Sequence, residues 1–251
     1  MYRLFKLISP LLLILTATSC EYIQNLTDEG EIIEASQTVG TIKNIVIDAP
    51  VQIVLHNNES DEISIKGIKR LVENLELSAN SETLSISHNK KYYIQKSKLI
   101  EVGISAKYLQ RVTANMAFEL VAPETIESDN FAMVVNGGAK FSEIELNVNC
   151  QKLSLSVYGN NNIGNFFIAG NTTSSNFTIE GSVNLNALNL ECETVQVKHK
   201  SIGDCKVFAS KNLNVKTYSS GDTFYKGDPI IQHESIKVPY LKCCGKLIKI
   251  D

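Results

Sequence analysis

Apolar and polar residues alternate along most of this chain, from about residue 42 to residue 230. The first such runs contain Ile45 and Ile47, then Val51, Ile53 and Leu55, then Ile63 and Ile65. A period of two predicts β-strands whose side chains point alternately into a core and into solvent. The runs are separated by Asn, Ser, Gly and Asp, which are typical of turns. No segment has a sustained helical period, and residues 68–74 suit one helical turn at most, so the pattern predicts an all-β protein.

The segment from residue 109 to residue 230 repeats itself in units of 18 to 24 residues. Each unit begins with an apolar residue, one intervening residue of any type and a second apolar residue. Each unit then continues into a turn rich in Gly, Asn or Ser. One unit cannot bury its apolar side alone, but copies stacked ~4.8 Å apart pair their backbones and align equivalent residues. The sequence therefore predicts a parallel β-helix, or β-solenoid, of roughly 18–24-residue coils. A β-sandwich is the alternative, because it also has short strands and regular turns.

Stacking the units on these boundaries predicts which residues share a column. The internal ladder is Val112, Met133, Leu155, Ile179, Val197 and Val215. The outward column beside it is Thr113, Val134, Ser156, Glu180, Lys198 and Lys216, and the next inward column is Ala114, Val135, Val157, Gly181, His199 and Thr217. Because His199 falls in an inward column, we expect a buried, hydrogen-bonded histidine rather than a catalytic one.

The first twenty residues have the pattern of an export signal. Arg3 and Lys6 precede an apolar run over residues 7–15, which is shorter than the roughly 20 residues that span a bilayer. Small residues then lead to Cys20, as in the lipobox of bacterial lipoproteins. We expect residues 1–19 to be a signal peptide and Cys20 to carry acyl chains that anchor the protein in a membrane. A plain secretory signal peptide, with Cys20 incidental, is the alternative.

The remaining chain divides into a tether and one domain. Residues 20–40 are predicted to be the lipidated N-terminus and tether, and residues 41–251 a single β-solenoid domain. Three cysteines stand at alternate positions with the apolar residues around them, so we expect them to face inward: Cys150, Cys192 and Cys205. The adjacent Cys243 and Cys244 cannot both face inward along one strand, and a redox role for them stays open.

Composition narrows the classes of function. Hydrophobic residues make up 43% of the 251 positions, enough for a sizeable core, whereas charged residues make up only 20%. The formal net charge is −3, and nothing in the sequence resembles the basic footprint of a nucleic-acid-binding protein. The sequence also lacks the phosphate-binding, dinucleotide and zinc-protease motifs, so neither a cofactor nor a nucleic-acid partner is expected.

Two stretches resemble a known family, the putative auto-transporter adhesin, head GIN domain family of Bacteroidota envelope proteins. They cover residues 45–53 near the start and 218–229 near the end, within a resemblance that spans roughly 42–240. The second stretch is similar to the family's Ser-Gly-x-Gly-Asp turn, although Ser220 stands where the first Gly belongs, and Ile202 does so one unit earlier. The resemblance implies a right-handed β-helix located in the cell envelope.

Asp204 and Asp222 are the candidate carboxylate pair. They fall at equivalent turn positions one coil apart, which would separate them by ~5 Å. Such a pair would suit acid–base work in a β-helix enzyme that acts on carbohydrates. The alternative is that each aspartate caps its own glycine turn through the backbone.

A loop with Lys90, Lys91, Tyr92 and Tyr93 is the candidate contact surface. Its charge and aromatic rings would suit anionic glycans or lipid headgroups, and a simple solvated loop is the alternative. Because the chain has no Trp, Tyr92, Tyr93 and Tyr108 are the candidates for a platform on which sugar rings stack.

These features predict a cell-envelope lipoprotein, anchored in the outer membrane, that acts as a non-enzymatic binding, adhesin-like or scaffold module. Its expected partners are the membrane, through the lipid, and a glycan or protein ligand. Two alternatives stay open. One is a β-helix enzyme that acts on carbohydrates, which rests on fold analogy. The other is an envelope-maintenance protein without an external ligand.

Overall fold

The computed structural model of the protein describes residues 30–89, 99–239 and 243–251. These residues form one 17-stranded sheet and one short helix. The first nine strands are β1 (Ile32–Thr38), β2 (Asn44–Ile47), β3 (Val51–His56), β4 (Glu62–Ile68), β5 (Leu75–Asn80), β6 (Thr83–His88), β7 (Ile100–Ser105), β8 (Arg111–Ala114) and β9 (Phe118–Val121). The others are β10 (Ile126–Val135), β11 (Ser142–Val157), β12 (Ile163–Ser201), β13 (Cys205–Phe208), β14 (Asn212–Thr217), β15 (Thr223–Lys226), β16 (Ile230–Ser235) and β17 (Leu247–Lys249).

The helix α1 (Lys69–Val72) is a single turn, as residues 68–74 predicted. Its one buried side chain is that of Leu71, which packs into the main core. In the parts of the chain that the structure describes, no helix has both the length and the apolar character needed to span a bilayer.

Two parallel ladders run along the molecule. The first joins β6, β2, β8, β10, β11, β12, β14 and β16 in that order. The second joins β7, β3, β9, β11, β12, β13, β15 and β17. From β8 onward, paired residues are separated by 18 to 24 positions along the chain. Thr194 and Asn212 are 18 apart, and Thr223 and Leu247 are 24 apart. The predicted parallel β-solenoid of 18–24-residue coils is confirmed, and the β-sandwich is not.

The order of the first coils in space differs from their order along the chain. The coil made by β2 and β3 lies between the coil of β6 and β7 and the coil of β8 and β9, because β2 and β3 each pair on both sides. The chain thus leaves the second coil, builds the outermost one and crosses back. Residues 106–110 make that crossing between β7 and β8.

Antiparallel strands cover this end of the solenoid. Strand β4 pairs with both β1 and β7, and β5 forms a hairpin with β6. Such a cover occupies sheet edges that would otherwise offer unpaired backbone groups to other chains. Strand β1, Ile32–Thr38, lies within residues 20–40, the stretch predicted to be the lipidated N-terminus and tether, and the domain boundary at residue 41 stays a prediction.

One continuous apolar core fills the coils, and its columns follow the predicted internal ladder with one correction. Val112 pairs with Met133, Met133 with Leu155, and Val197 with Val215, as expected. Leu155, however, pairs with Phe177 rather than Ile179, and Ser156 pairs with Thr178 rather than Glu180. A shift of two residues keeps every side chain on its own face, so alternation alone could not distinguish the two registers.

Candidate functional site

The turns between the two ladders stack along one edge of the solenoid. A Cβ atom added to Gly221 would collide with the carbonyl oxygen of Gly203, and one added to Gly245 would collide with the carbonyl oxygen of Gly221. Glycine is therefore required where each turn lies directly against the next.

Asp204 and Asp222 occupy this edge at equivalent positions, because the residues that follow them, Cys205 and Thr223, pair with each other. The Asp222 carboxylate accepts a hydrogen bond from the backbone N–H of Lys246 at 2.7 Å. This side chain therefore ties its coil to the next one. An acid–base role for Asp204 and Asp222 stays a prediction.

His199 lies fully buried behind the same edge, as its inward column predicted. Its Nε2 lies 2.8 Å from the carbonyl oxygen of Gly203, and its Nδ1 lies 2.9 Å from the hydroxyl of Thr223. The carbonyl can only accept, so this network places the ring proton on Nε2 and lets Thr223 donate to Nδ1. Burial lowers the pKa of His199, against the opposing influence of the Gly203 carbonyl and the carboxylates of Asp204 and Asp222.

Three cysteines are buried, as predicted: Cys150, Cys192 and Cys205. Burial raises the pKa of each thiol, most of all that of Cys205, so these groups are protonated and poorly nucleophilic. The side chains of the adjacent Cys243 and Cys244 lie against each other, and a redox role for them stays a prediction.

A groove of about 740 Å³, called here the polar groove, lies where the chain bends from the second ladder back to the first. It is lined by Lys43, Lys107, Tyr108, Gln110, Glu127, Ser128, Asp129, Asn130, Asn149, Cys150, Gln151 and Thr173. Apart from Lys43, which precedes β2, the lining comes from the crossing link 106–110 and from successive coils in β10, β11 and β12. This volume falls within the range of small-molecule binding sites.

The crossing link holds Tyr108 in place at one end of the polar groove. The flanking Ala106 and Leu109 are buried, and the N–H of Leu109 donates to the carbonyl of Ala106 at 3.0 Å. The next amide, that of Gln110, donates to the carbonyl of Lys43 at 2.8 Å. Tyr108 itself is 52% exposed, so a fixed backbone presents an open aromatic ring.

Polar side chains form rows along the polar groove. The amide of Asn149 donates to the Glu127 carboxylate at 3.3 Å, and the amide of Gln151 donates to the Asp129 carboxylate, also at 3.3 Å. Register explains the first contact, because Glu127 pairs with Asn149, which in turn pairs with Asn171 of the next coil. Carboxylates that only accept thus stand beside amides that both donate and accept.

The two lysines of the polar groove are paired with acidic residues outside its lining. Lys43 lies 2.8 Å from Glu82, and Lys107 lies 3.0 Å from Glu59. Among the described residues, the lining therefore carries two cations and two anions, each with a hydrogen-bonding or ionic partner.

A column of small polar side chains supports the bend beneath the polar groove. The Ser128 hydroxyl donates to the Asn130 carbonyl at 3.0 Å, and that of Thr172 donates to the Ser174 carbonyl at 3.1 Å. Cys192 makes the same contact with the carbonyl two positions after it, at 3.2 Å. These three coils thus each fix their own bend, whereas Cys150 contacts the Thr172 hydroxyl of the next coil at 3.5 Å.

Several predicted site residues lie outside the described residues: Cys20, Lys90, Lys91, Tyr92 and Tyr93. Lipidation at Cys20 and contact through the basic loop therefore stay predictions. The sequence did signal Tyr108 as a sugar-stacking candidate, but nothing in it indicated that residues of β10, β11 and β12 would lie beside that ring.

The fold and site define a parallel β-solenoid protein with a polar surface groove. Residues 42–229 match the family described as putative auto-transporter adhesin, head GIN domain. The chain belongs to that family, and the resemblance inferred from the sequence is confirmed.

Three solved structures of similar fold come from Bacteroides and Parabacteroides. A putative adhesin from Bacteroides fragilis has a TM-score of 0.73 at 19% identity, covering 88% of this chain and 97% of that one. A putative adhesin from Parabacteroides distasonis has a TM-score of 0.65 at 16% identity, covering 88% and 98%. A putative lipid binding protein from the same organism has a TM-score of 0.65 at 14% identity, also covering 88% and 98%. None of the curated proteins compared with the chain matches it.

Proposed function

We propose that this protein is a lipid-anchored module of the cell envelope that binds its ligand non-covalently and catalyses no reaction. The observation that carries the proposal is the polar groove, whose hydrogen-bonding side chains are open to solvent and held by neighbouring coils. The buried His199 and Cys205, in contrast, are closed to any substrate. The family description, a putative adhesin, supports a binding role.

The N-terminal sequence supports the anchor. An apolar run followed by small residues and Cys20 has the pattern of a lipobox, and strand β1 begins only 12 positions later, at Ile32. At most ~3.6 Å per residue, that segment can hold the folded body no farther than roughly 40 Å from the acylated cysteine. The solenoid would then stand close to the membrane surface.

Fractionation of cells that express the full chain tests the anchor. Cys20→Ala should release the protein from membranes and abolish incorporation of labelled palmitate, because the acylated thiol is lost. Ser19→Ala is the matched control, since it keeps a small residue before the cysteine, and it should stay membrane-bound. A Cys20→Ala protein that remains in the membrane fraction would disprove the anchor. Protease accessibility on intact cells would separate a surface-exposed from a periplasm-facing protein.

Binding and catalysis can be distinguished on the same purified protein. We expect it to be retained by at least one immobilised glycan or envelope or matrix protein, and to leave acidic polysaccharides uncleaved. Release of new reducing ends, lost in Asp204→Asn or Asp222→Asn, would overturn the non-enzymatic proposal. Failure of folded protein to bind any member of such a panel would instead favour envelope maintenance without a ligand.

A further inference from the structure

We infer that the polar groove binds a neutral oligosaccharide, with a sugar ring stacked on Tyr108 and its hydroxyls bonded to the rows formed by β10 and β11. This inference rests on the proposed binding function and names the ligand of that site. The geometry that carries it is one open aromatic ring at the end of parallel rows of amides and carboxylates.

The charges of the polar groove favour a neutral ligand. Lys43 and Lys107 are the cations of the lining, and both are already paired with glutamates. Glu127 and Asp129 offset them within the groove itself. A nucleic acid, an acidic glycan or a phospholipid headgroup would need unpaired cations to replace its counterions.

The polarity of the lining favours a ligand covered with hydroxyl groups. Nearly every side chain in the lining offers a donor or an acceptor, and the part of the chain that the structure describes contributes no Leu, Ile, Val or Phe to it. These described residues therefore offer no aliphatic surface to a lipid tail or to the apolar face of a peptide. A hydroxyl both donates and accepts, which matches the amide of Gln151 beside the carboxylate of Asp129.

Tyr108 supplies the apolar contact that a sugar ring also needs. A pyranose has C–H groups on its faces and hydroxyls around its edge, so it can lie on an aromatic ring while its edge bonds to polar side chains. Tyrosine presents a large, rigid surface at a low cost in conformational entropy. The buried Ala106 and Leu109 on either side fix the backbone before any ligand arrives.

Titration of the full-length protein with defined glycans tests the inference. The probes are neutral hexasaccharides of glucose, mannose, xylose and N-acetylglucosamine, with heparin, polygalacturonate and phosphatidylglycerol vesicles for comparison. We expect at least one neutral hexasaccharide to bind, measured by calorimetry and by tyrosine fluorescence. Its affinity should be nearly unchanged between roughly 0.05 and 0.5 M NaCl, because no ion pair forms with the ligand.

Variants locate the binding. Tyr108→Ala should weaken affinity at least ~10-fold, whereas Tyr108→Phe should stay within ~3-fold, since the ring carries the contact. Gln151→Ala should weaken it less than Tyr108→Ala does. Phe167→Ala removes an aromatic residue of similar exposure outside the polar groove and should have no effect, which makes it the matched control.

The other outcomes overturn the inference in different ways. Binding only to heparin or to vesicles, with steep salt dependence, would assign the site to an anionic ligand. Glycan binding that Tyr108→Ala leaves intact would place the site elsewhere. If no neutral glycan binds but the protein still captures a protein from the panel, the oligosaccharide inference fails while the proposed binding function stands. If nothing in either experiment binds, both fail.

Discussion

The two halves of the solenoid have different interiors. In the first coils the inward positions are aliphatic, and Ile45, Ile47, Ile53 and Leu55 are all fully buried. In the last coils polar side chains share the interior with the aliphatic ones. Among the described residues, the buried polar side chains fall between Ser142 and Thr223, and they include His199 and Ser201.

The turns explain this difference. In the last coils, backbone groups beside the glycine turns bond to buried side chains, because a buried backbone group needs a hydrogen-bond partner. The Ser201 hydroxyl lies 2.8 Å from the Val183 carbonyl oxygen and accepts a hydrogen bond from the Val183 N–H, also at 2.8 Å. The His199 ring donates a hydrogen bond to the Gly203 carbonyl. The buried polar residues thus supply hydrogen-bond partners to backbone groups beside the glycine turns. The same fold is stabilised by apolar burial at one end and in part by a hydrogen-bond network at the other.

The largest expected effect is in the aliphatic half. Ile45 lies between Leu84 and Val112 of the two neighbouring coils and is completely buried. Ile45→Ala should lower the free energy of unfolding by about 4 kcal/mol, because it leaves a cavity between coils that cannot approach each other. Urea unfolding should give the same loss at pH 7.5 and at pH 5.5, since the paired side chains, those of Leu84 and Val112, do not titrate. A loss below about 1 kcal/mol would contradict the packing described here.

A slightly smaller effect is expected in the stacked turns of the polar half. Gly221→Ala should lower the free energy of unfolding by about 3 kcal/mol, because the new methyl group meets the Gly203 carbonyl, a backbone atom that cannot move aside. Gly137→Ala is the control, since its Cβ would lie 3.5 Å from the nearest atom, the carbonyl oxygen of Tyr158. Equal losses in the two variants would show that the turns do not stack as described.

The smallest effect concerns pH and should appear only in the polar half. His199→Gln should cost about 2 kcal/mol at pH 7.5, through lost or distorted hydrogen bonds to Thr223 and Gly203. Because burial holds the pKa of His199 below its ordinary value, the unfolded chain takes up that proton first as the pH falls. The stability of the native protein should therefore decline as pH drops below about 6.5 toward the lower pKa of the folded state.

The His199→Gln variant tests whether His199 causes this pH dependence, because it lacks the imidazole ring that titrates. Its free energy of unfolding should fall less steeply between pH 7.5 and pH 5.5 than that of the native protein, as measured by urea midpoints. Parallel curves for the two proteins would show that His199 does not contribute to acid sensitivity.

Much of the fold could be predicted from local pattern. Alternation identified the strands, and the repeat length identified the coils; it also placed His199, Cys150, Cys192 and Cys205 in the interior. Alternation could not predict that Phe177, rather than Ile179, pairs with Leu155 in the internal ladder. Both residues face inward and differ only in which neighbour they contact.

The polar groove was harder to predict than the core. It depends on the crossing link that carries Tyr108, and that link exists only because the coil of β2 and β3 lies between two coils that follow it along the chain. Nothing in the order of residues distinguishes this arrangement from coils stacked in sequence. The contact of Asn149 with Glu127 likewise follows from register across 22 positions.

By itself, the sequence determined which side chains face inward and how long each coil is, because alternation at every second residue and recurring turns are properties of short segments. Only the tertiary structure decided which coil lies on which, and hence which polar side chains meet Tyr108. Sliding a strand by two residues, or exchanging two coils, leaves every side chain on the same face. The choice is then made by the fit of side-chain volumes across coils and by the closure of backbone hydrogen bonds at the ends, which segments of one coil do not contain.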